Sequence, residues 1–290
     1  MAARILDGAA IALQVYAGLK ARISVLRSHG VQPGLAAILV GDNPASRTYV
    51  RNKVRACAEI GVHSEVHHLE GDSPESKVVN LLDSLNQNPA IHGIIVQLPL
   101  PPALDAWRVS RAIAEAKDVD GFNPRDLGAL VEGKQAAFVP CTPLGVITML
   151  DLAGIDIQSK HAVVIGRSAI VGKPMSLLLI NAGATVTVCN SRTPDLATHA
   201  ARADILISAV GKPGLVVAEM VKPGAVVVDI GINRLPDGRL AGDVDFESVS
   251  RRAGWITPVP GGVGPMTVAM LLANTVTAAE RAASGSGRAG

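Results

Sequence analysis

Residues 162–174, AVVIGRSAIVGKP, constrain the fold most strongly. The β-branched run Val163-Val164-Ile165 stops at Gly166, a short Gly/Ser turn follows, and a helical segment opens at Val171. Strand, glycine turn and helix in that order is how a parallel α/β sheet offers backbone N–H groups and a helix N-terminus to a phosphate. The turn does not read G-x-G-x-x-G. It reads G-R-S-x-x-x-G-x-P, and its cation, Arg167, points to a ligand carrying extra negative charge.

The rest of the chain repeats the alternation of strand and helix. Residues 35–41 and 91–97 read as buried strands and 62–69 as a weaker one, with helices over 45–60, 74–86 and 104–116. Pro140-Cys141-Thr142-Pro143 looks like a boundary, with a helix from Pro143 to about Leu152. A second set follows: strands 162–166, 184–189, 204–209 and 225–230, helices 171–182 and 194–202. A Gly/Pro cluster at 258–265 then precedes a last helix over 266–282 and a flexible tail, SGSGRAG. The expected fold is two α/β domains with parallel sheets. Aromatics supply 2% of a chain that is 48% apolar, so its core is aliphatic, as suits strands buried on both faces.

A formal net charge of +2 over 290 residues argues against nucleic acid or lipid headgroups as the main partner. No apolar run is read as approaching the roughly 20 residues that span a bilayer, and no signal peptide is read at the N-terminus. Cys57, Cys141 and Cys189 are odd in number and lack metal-type spacing, so reduced thiols in a cytoplasmic protein and no metal site are expected. Cys141 has no sequence cue for an activating base.

Five segments could carry chemistry. In SRTYVRNK, Tyr49 and Lys53 are i and i+4 on one helical face. The pair is either surface decoration or a ring that stacks on a flat substrate beside an amine poised for proton transfer, provided burial lowers its pKa. Gln97 ends a buried strand before Leu-Pro-Leu-Pro-Pro, which cannot continue a ladder. In DVDGF, Asp120 either shapes a turn or binds an N–H pair in a fork. At the end of the strand after the glycine turn stand Asn190, Ser191, Arg192 and Thr193. An acid about here would bind a ribose 2′-hydroxyl; hydroxyls and a guanidinium suit a 2′-phosphate, so NADP is favoured over NAD. The fifth, VPGGVGPMT, specifies by itself only a closely approached backbone.

Together SRTYVRNK, QLPLP, DVDGF, PCTP, GRSAIVGKP, CNSRT and PGGVGPMT resemble, in order and spacing, the bifunctional methylenetetrahydrofolate dehydrogenase/methenyltetrahydrofolate cyclohydrolase family. The resemblance implies a folate-binding domain of residues 1–139 plus 267–290, with the last helix returning to it. It implies a Rossmann-type NADP domain of residues 140–266, a cleft between the two, and a cytoplasmic homodimer in one-carbon metabolism serving purine biosynthesis. It implies catalysis by Lys53, with Tyr49 packing on the folate, Gln97 as the lysine's hydrogen-bond partner and Asp120 anchoring the pterin. Leu98, Gly262 and Pro265 would also touch substrate. Gly166, Arg167 and Ser168 would hold cofactor phosphates and ribose, and Ile232 would lie beside the nicotinamide. Ser191 and Arg192 are this chain's candidates for the 2′-phosphate. Arg55, where relatives often carry lysine, keeps the charge. Two rivals stay open: a shikimate-type dehydrogenase of similar architecture, and a non-catalytic NADP-binding sensor.

Overall fold

The computed structural model describes residues 2–286; residues 287–290 of the tail lie outside the described residues. In chain order the elements are β1 (Arg4–Ile5), α1 (Gly8–Ser28), β2 (Gly34–Val40), α2 (Pro44–Ile60), β3 (His63–Leu69), α3 (Glu75–Gln87), β4 (Gly93–Val96), α4 (Ala106–Arg111), α5 (Pro124–Val131) and α6 (Cys141–Leu152). There follow β5 (His161–Ile165), α7 (Gly172–Asn181), β6 (Thr185–Cys189), α8 (Leu196–Ala200), β7 (Ile205–Ser208), β8 (Val226–Asp229), β9 (Asn233–Arg234), β10 (Leu240–Ala241), α9 (Phe246–Val249), β11 (Trp255–Ile256) and α10 (Val263–Ser286).

The chain divides into two compact units. One holds Gln14–Gly128, Ala136–Cys141 and, of the described residues, 268–286. Its sheet is parallel, ordered β3-β2-β4. Every residue of β2 (GLAAILV) and β4 (GIIV) is buried, whereas β3, at the sheet's edge, alternates. Helix α3 adds Val78, Leu82 and Leu85, at i, i+4 and i+7, to the aliphatic core around Ile38, Ile94 and Val109. Burial of each large aliphatic side chain stabilises by about 1.5–3 kcal/mol. Helix α2 starts where Asn43 Oδ1 accepts from the N–H groups of Ala45 (2.9 Å) and Ser46 (3.2 Å), and it stops at Gly61. Helix α10 belongs here from Val268 on: Glu280 pairs with Arg22 of α1 at 2.6 Å, and Asn274 reaches Val119 and Val139.

The other unit holds, of the described residues, 2–13, Ala129–Gln135 and Thr142–Thr267. Its six-stranded sheet, ordered β1-β11-β8-β7-β5-β6, is parallel throughout. The chain moves outward from β5 to β6 and then crosses to β7 on the opposite side, so the strand order reverses between β5 and β7. That is the ligand crevice of doubly wound sheets, outside the carboxyl ends of the strands. Val163, Ile165, Leu206, Val216, Val227 and Ile256 build its core.

Four differences from the sequence expectation have physical causes. Residues 1–13 were expected in the first domain, yet β1 pairs with β11 (Arg4 opposite Trp255, Ile5 opposite Ile256) and buries Leu6 in the six-stranded unit. Residues 129–135 also join that unit, where Asn181 Nδ2 donates to Leu130 O at 2.9 Å. The expected helix over 104–116 is α4 plus a 3₁₀ turn at 115–117. Asn86 clamps the break, accepting from Ala114 N–H and donating to Ala112 O. Helix α1, unread in the sequence, is long and apolar enough to cross a membrane by length and composition alone. Its Tyr16, Leu19, Ile23 and Leu26 stripe is buried inside the fold.

Candidate active site

In the first unit, α2 and the end of β4 bring the predicted polar residues together. Lys53 Nζ donates to Gln97 Oε1 at 3.1 Å. Gln97 is anchored through backbone and side chain: its backbone N–H donates to Ile38 O of β2 at 2.9 Å, and its Nε2 donates to Leu98 O at 2.7 Å. The Leu98–Pro99 peptide is cis, and Leu98 is exposed. Tyr49, one turn before Lys53, presents an exposed ring.

Asp120 joins this group. By surface it is half-buried, yet protein atoms crowd its carboxylate. Burial raises its proton affinity, and the Lys53 ammonium pulls it back. The loop presenting it is held at every step. Asp118, buried, accepts from Phe122 N–H at 3.1 Å, and Gly121 N–H donates to Asp118 O at 3.1 Å. Gly121 adopts φ +77°, and a Cβ there would meet the Val139 and Pro140 backbone within 2.8 Å. Asn274 Nδ2 donates to Val119 O (2.9 Å) and Val139 O (3.1 Å), and Cys141 Sγ donates to Val119 O (3.2 Å). Burial, with the Asp120 charge adding, pushes Asp118 up to about 7, while N–H groups of Phe122, Gly121 and Asn123 oppose it. Burial likewise raises the Cys141 thiol well above its ordinary value, so it stands as a hydrogen-bonded structural thiol.

Two contributors are not apparent from the sequence pattern. Asn274 is separated from Val119 by 155 residues. Ser46 lies three and seven residues before Tyr49 and Lys53, on their helical face. Its buried hydroxyl is, among the described residues, without a hydrogen-bond partner in the chain. A serine in a first helical turn reads as a cap, and its burial is a tertiary property that spacing does not show.

In the second unit the predicted cofactor residues gather at the carboxyl edge of the sheet. Gly166 follows β5 at φ +127°, and a Cβ there would run into Ala209 O at the end of β7, the point of strand-order reversal. Arg167 and Ser168 come next, both exposed. Ser168 Oγ accepts from the N–H groups of Val171 and Gly172, so part of the helix N-terminus is already capped by the turn itself. Gly166 N–H donates to Cys189 O at 2.8 Å, placing this turn beside the next strand end, where Ser191 and Arg192 are exposed. The Asn190–Thr193 turn is closed by its own hydrogen bonds, and Arg192 forms no ion pair among the described residues. Ile232, 42% exposed, stands beyond β8. Gly262 and Pro265 also belong to this unit; a Cβ on Gly262 would meet Pro258 O at 2.5 Å. An edge with a turn bounded by Gly166 and Gly172, two exposed guanidinium groups and no acid at the β6 end fits a phosphorylated dinucleotide.

Comparison with known proteins places this geometry. The catalytic-domain model of tetrahydrofolate dehydrogenase/cyclohydrolase matches residues 6–120, and that family's NAD(P)-binding-domain model matches residues 140–283. The chain belongs to the tetrahydrofolate dehydrogenase/cyclohydrolase family. It is 59% identical over 282 residues to the bifunctional protein FolD of Nitrosospira multiformis, covering 97% of this chain and 98% of that one. The FolD methylenetetrahydrofolate dehydrogenase/cyclohydrolase structure from Campylobacter jejuni superposes with a TM-score of 0.95 at 49% identity, over 97% of this chain and 99% of the other. The Trypanosoma brucei enzyme, solved with NADP and an inhibitor, superposes at 0.94 with 40% identity over 100% of both. The shikimate-type alternative falls away with these matches.

Proposed function

We propose that this chain oxidises 5,10-methylenetetrahydrofolate to 5,10-methenyltetrahydrofolate with NADP⁺ and hydrolyses the product to 10-formyltetrahydrofolate, using the residues assembled above. The observation that carries the assignment to residues is the 3.1 Å Lys53–Gln97 hydrogen bond beside Asp120.

Bound NADP⁺ supplies the hydride acceptor. The methylene carbon sits between two nitrogens, and a nitrogen lone pair expels the C–H electron pair, leaving a delocalised methenyl cation. The chain's task in that step is orientation more than acid–base chemistry. Tyr49 packs on the folate ring system, Asp120 accepts a pair of N–H groups from the pterin, and Leu98 contacts the ligand. Arg192 and Ser191 take the 2′-phosphate, Gly166, Arg167 and Ser168 the remaining phosphates and ribose, and Ile232 the nicotinamide.

Hydrolysis asks more of the side chains. Water adds to the cationic methenyl carbon and gives up both its protons as the formyl C=O forms: one reaches the departing nitrogen as its C–N bond opens, and the other leaves to solvent. Lys53, held by Gln97, carries the first of these from water to nitrogen. The 10-formyl product suits formyl transfer in purine biosynthesis.

We also assign the chain to the cytoplasm as a homodimer, without nucleic-acid or membrane partners. Three free, buried cysteines, the small net charge and the buried stripe of α1 support the first and last of these; the dimer rests on resemblance to the family.

The test is a paired assay on purified protein: methylenetetrahydrofolate with NADP⁺ or NAD⁺, followed for reduced cofactor, and methenyl substrate alone, followed for decay. NADP⁺-dependent oxidation with rapid methenyl decay is expected. Binding of NADP⁺ without turnover would return the sensor alternative.

A further inference from the structure

Two buried acids outside the predicted site tie the carboxyl ends of β7 and β8 together. Asp243, fully buried, follows β10. Its Oδ2 accepts from Ser208 Oγ (3.1 Å), Val210 N–H (2.8 Å) and Gly211 N–H (3.2 Å); its Oδ1 accepts from Lys212 N–H (2.8 Å) and Asn233 Nδ2 (3.1 Å). Five donors converge on one carboxylate, three of them successive backbone N–H groups of the loop after β7.

Asp229, the last residue of β8, is also buried and secures the segment that carries Asp243. It accepts from Gly231 N–H (2.9 Å), Asp243 N–H (3.0 Å) and Val244 N–H (2.8 Å). The packing is reciprocal. A side chain at Gly231 would collide with the Asp243 carboxylate, and one at Gly242 with that of Asp229. Ile232 lies between Gly231, tied to Asp229, and Asn233, tied to Asp243.

A buried carboxylate without a cation is costly, and turns of this length close routinely with neutral side chains. Here the acids fix two loops that flank adjacent strand ends, where open α/β sheets bind ligands. We propose that Asp243 is a positioning residue for the dehydrogenase reaction, holding the 210–212 loop and the Ile232 turn in the single arrangement that receives the nicotinamide end of the cofactor. This rests on the placement of the nicotinamide beside Ile232 proposed above.

Asp243→Asn keeps the shape but turns an N–H₂ toward groups that all donate, so one set of bonds is lost. In the full-length chain, calorimetric titration should show NADP⁺ affinity falling by about tenfold or more. Oxidation should fall as well, while methenyl hydrolysis in the same sample stays within about twofold of the parent. Asn233→Ala, a smaller lesion that keeps the β7 loop bonded, should lower kcat of oxidation several-fold with little change in NADP⁺ affinity. Parental affinity in Asp243→Asn together with parental kcat in Asn233→Ala would overturn the proposal. So would an equal loss of oxidation and hydrolysis in the two variants, the mark of a general structural role. If the parent chain itself binds no NADP⁺ in the titration, the cofactor assignment fails instead.

Discussion

At the residue scale, the site depends on exposed cations whose charge is unspent and on polar groups whose partners are fixed. Arg192 illustrates the first kind. Its backbone N–H is taken by Asn190 Oδ1, which sets the turn, but its guanidinium is in no ion pair among the described residues. A charge-assisted hydrogen bond to a 2′-phosphate is worth about 1.5–3 kcal/mol. Arg192→Ala should therefore raise KM for NADP⁺ by about tenfold or more while leaving KM for NAD⁺ nearly constant. Equal changes for the two cofactors would remove Arg192 from the 2′-phosphate. Lys53 and Gln97 illustrate the second kind: the glutamine's backbone and side chain are both anchored, so its oxygen is aimed before substrate arrives.

At the scale of elements, the DVDGF loop holds a proton that free aspartate would lose. Burial puts Asp118 at about 7 in the folded chain, against an ordinary value of 3.8. Between those values the folded chain binds a proton that the unfolded chain has released, so stability falls as pH rises through the window from about 4 to 7. Burial holds Asp229 at about 6 and acts in the same direction. Melting curves from pH 5 to pH 8 should show a shallower decline for Asp118→Asn than for the parent; matching slopes would mean that Asp118 is ionised in the fold throughout. The same loop marks the reach of local patterning. The placement of Tyr49 and Lys53 on one helical face and of Gln97 at a strand end was legible because i, i+4 spacing and a strand's carboxyl end are local signals; the pairing of Lys53 with Gln97 came from the family resemblance. Asn274, which pins Val119 and Val139, was not, because its partners come from segments 155 and 135 residues away. The helix broken after Arg111 hid for a similar reason: its own residues have helical periodicity, and Asn86, clamping Ala112 and Ala114, is not one of them.

At the scale of the whole chain, the alternation of strands and helices was readable because buried parallel strands are near-continuous aliphatic runs. What periodicity could not reveal was the allegiance of short pieces. Strand β1 is two residues long and lies in a different unit from most of the first half of the chain. Leu6, buried beside it, alone contributes about 1.5–3 kcal/mol, so deleting residues 2–6 should lower the melting temperature by about 5 °C or more. It should also weaken NADP⁺ binding more than methenyl hydrolysis, since β1 closes the sheet that carries the cofactor residues. An unchanged calorimetric transition would contradict the β1–β11 pairing. The larger division, in the mechanism we propose, is chemical: orientation by one set of residues serves oxidation, and a lysine held by a glutamine serves hydrolysis.

That division is tested most directly by Lys53→Met, assayed with methylenetetrahydrofolate and NADP⁺ while reduced cofactor and methenyl absorbance are followed together. The variant should still form reduced cofactor and should accumulate methenyltetrahydrofolate that fails to decay. Decay at the parent rate would contradict the lysine proton shuttle.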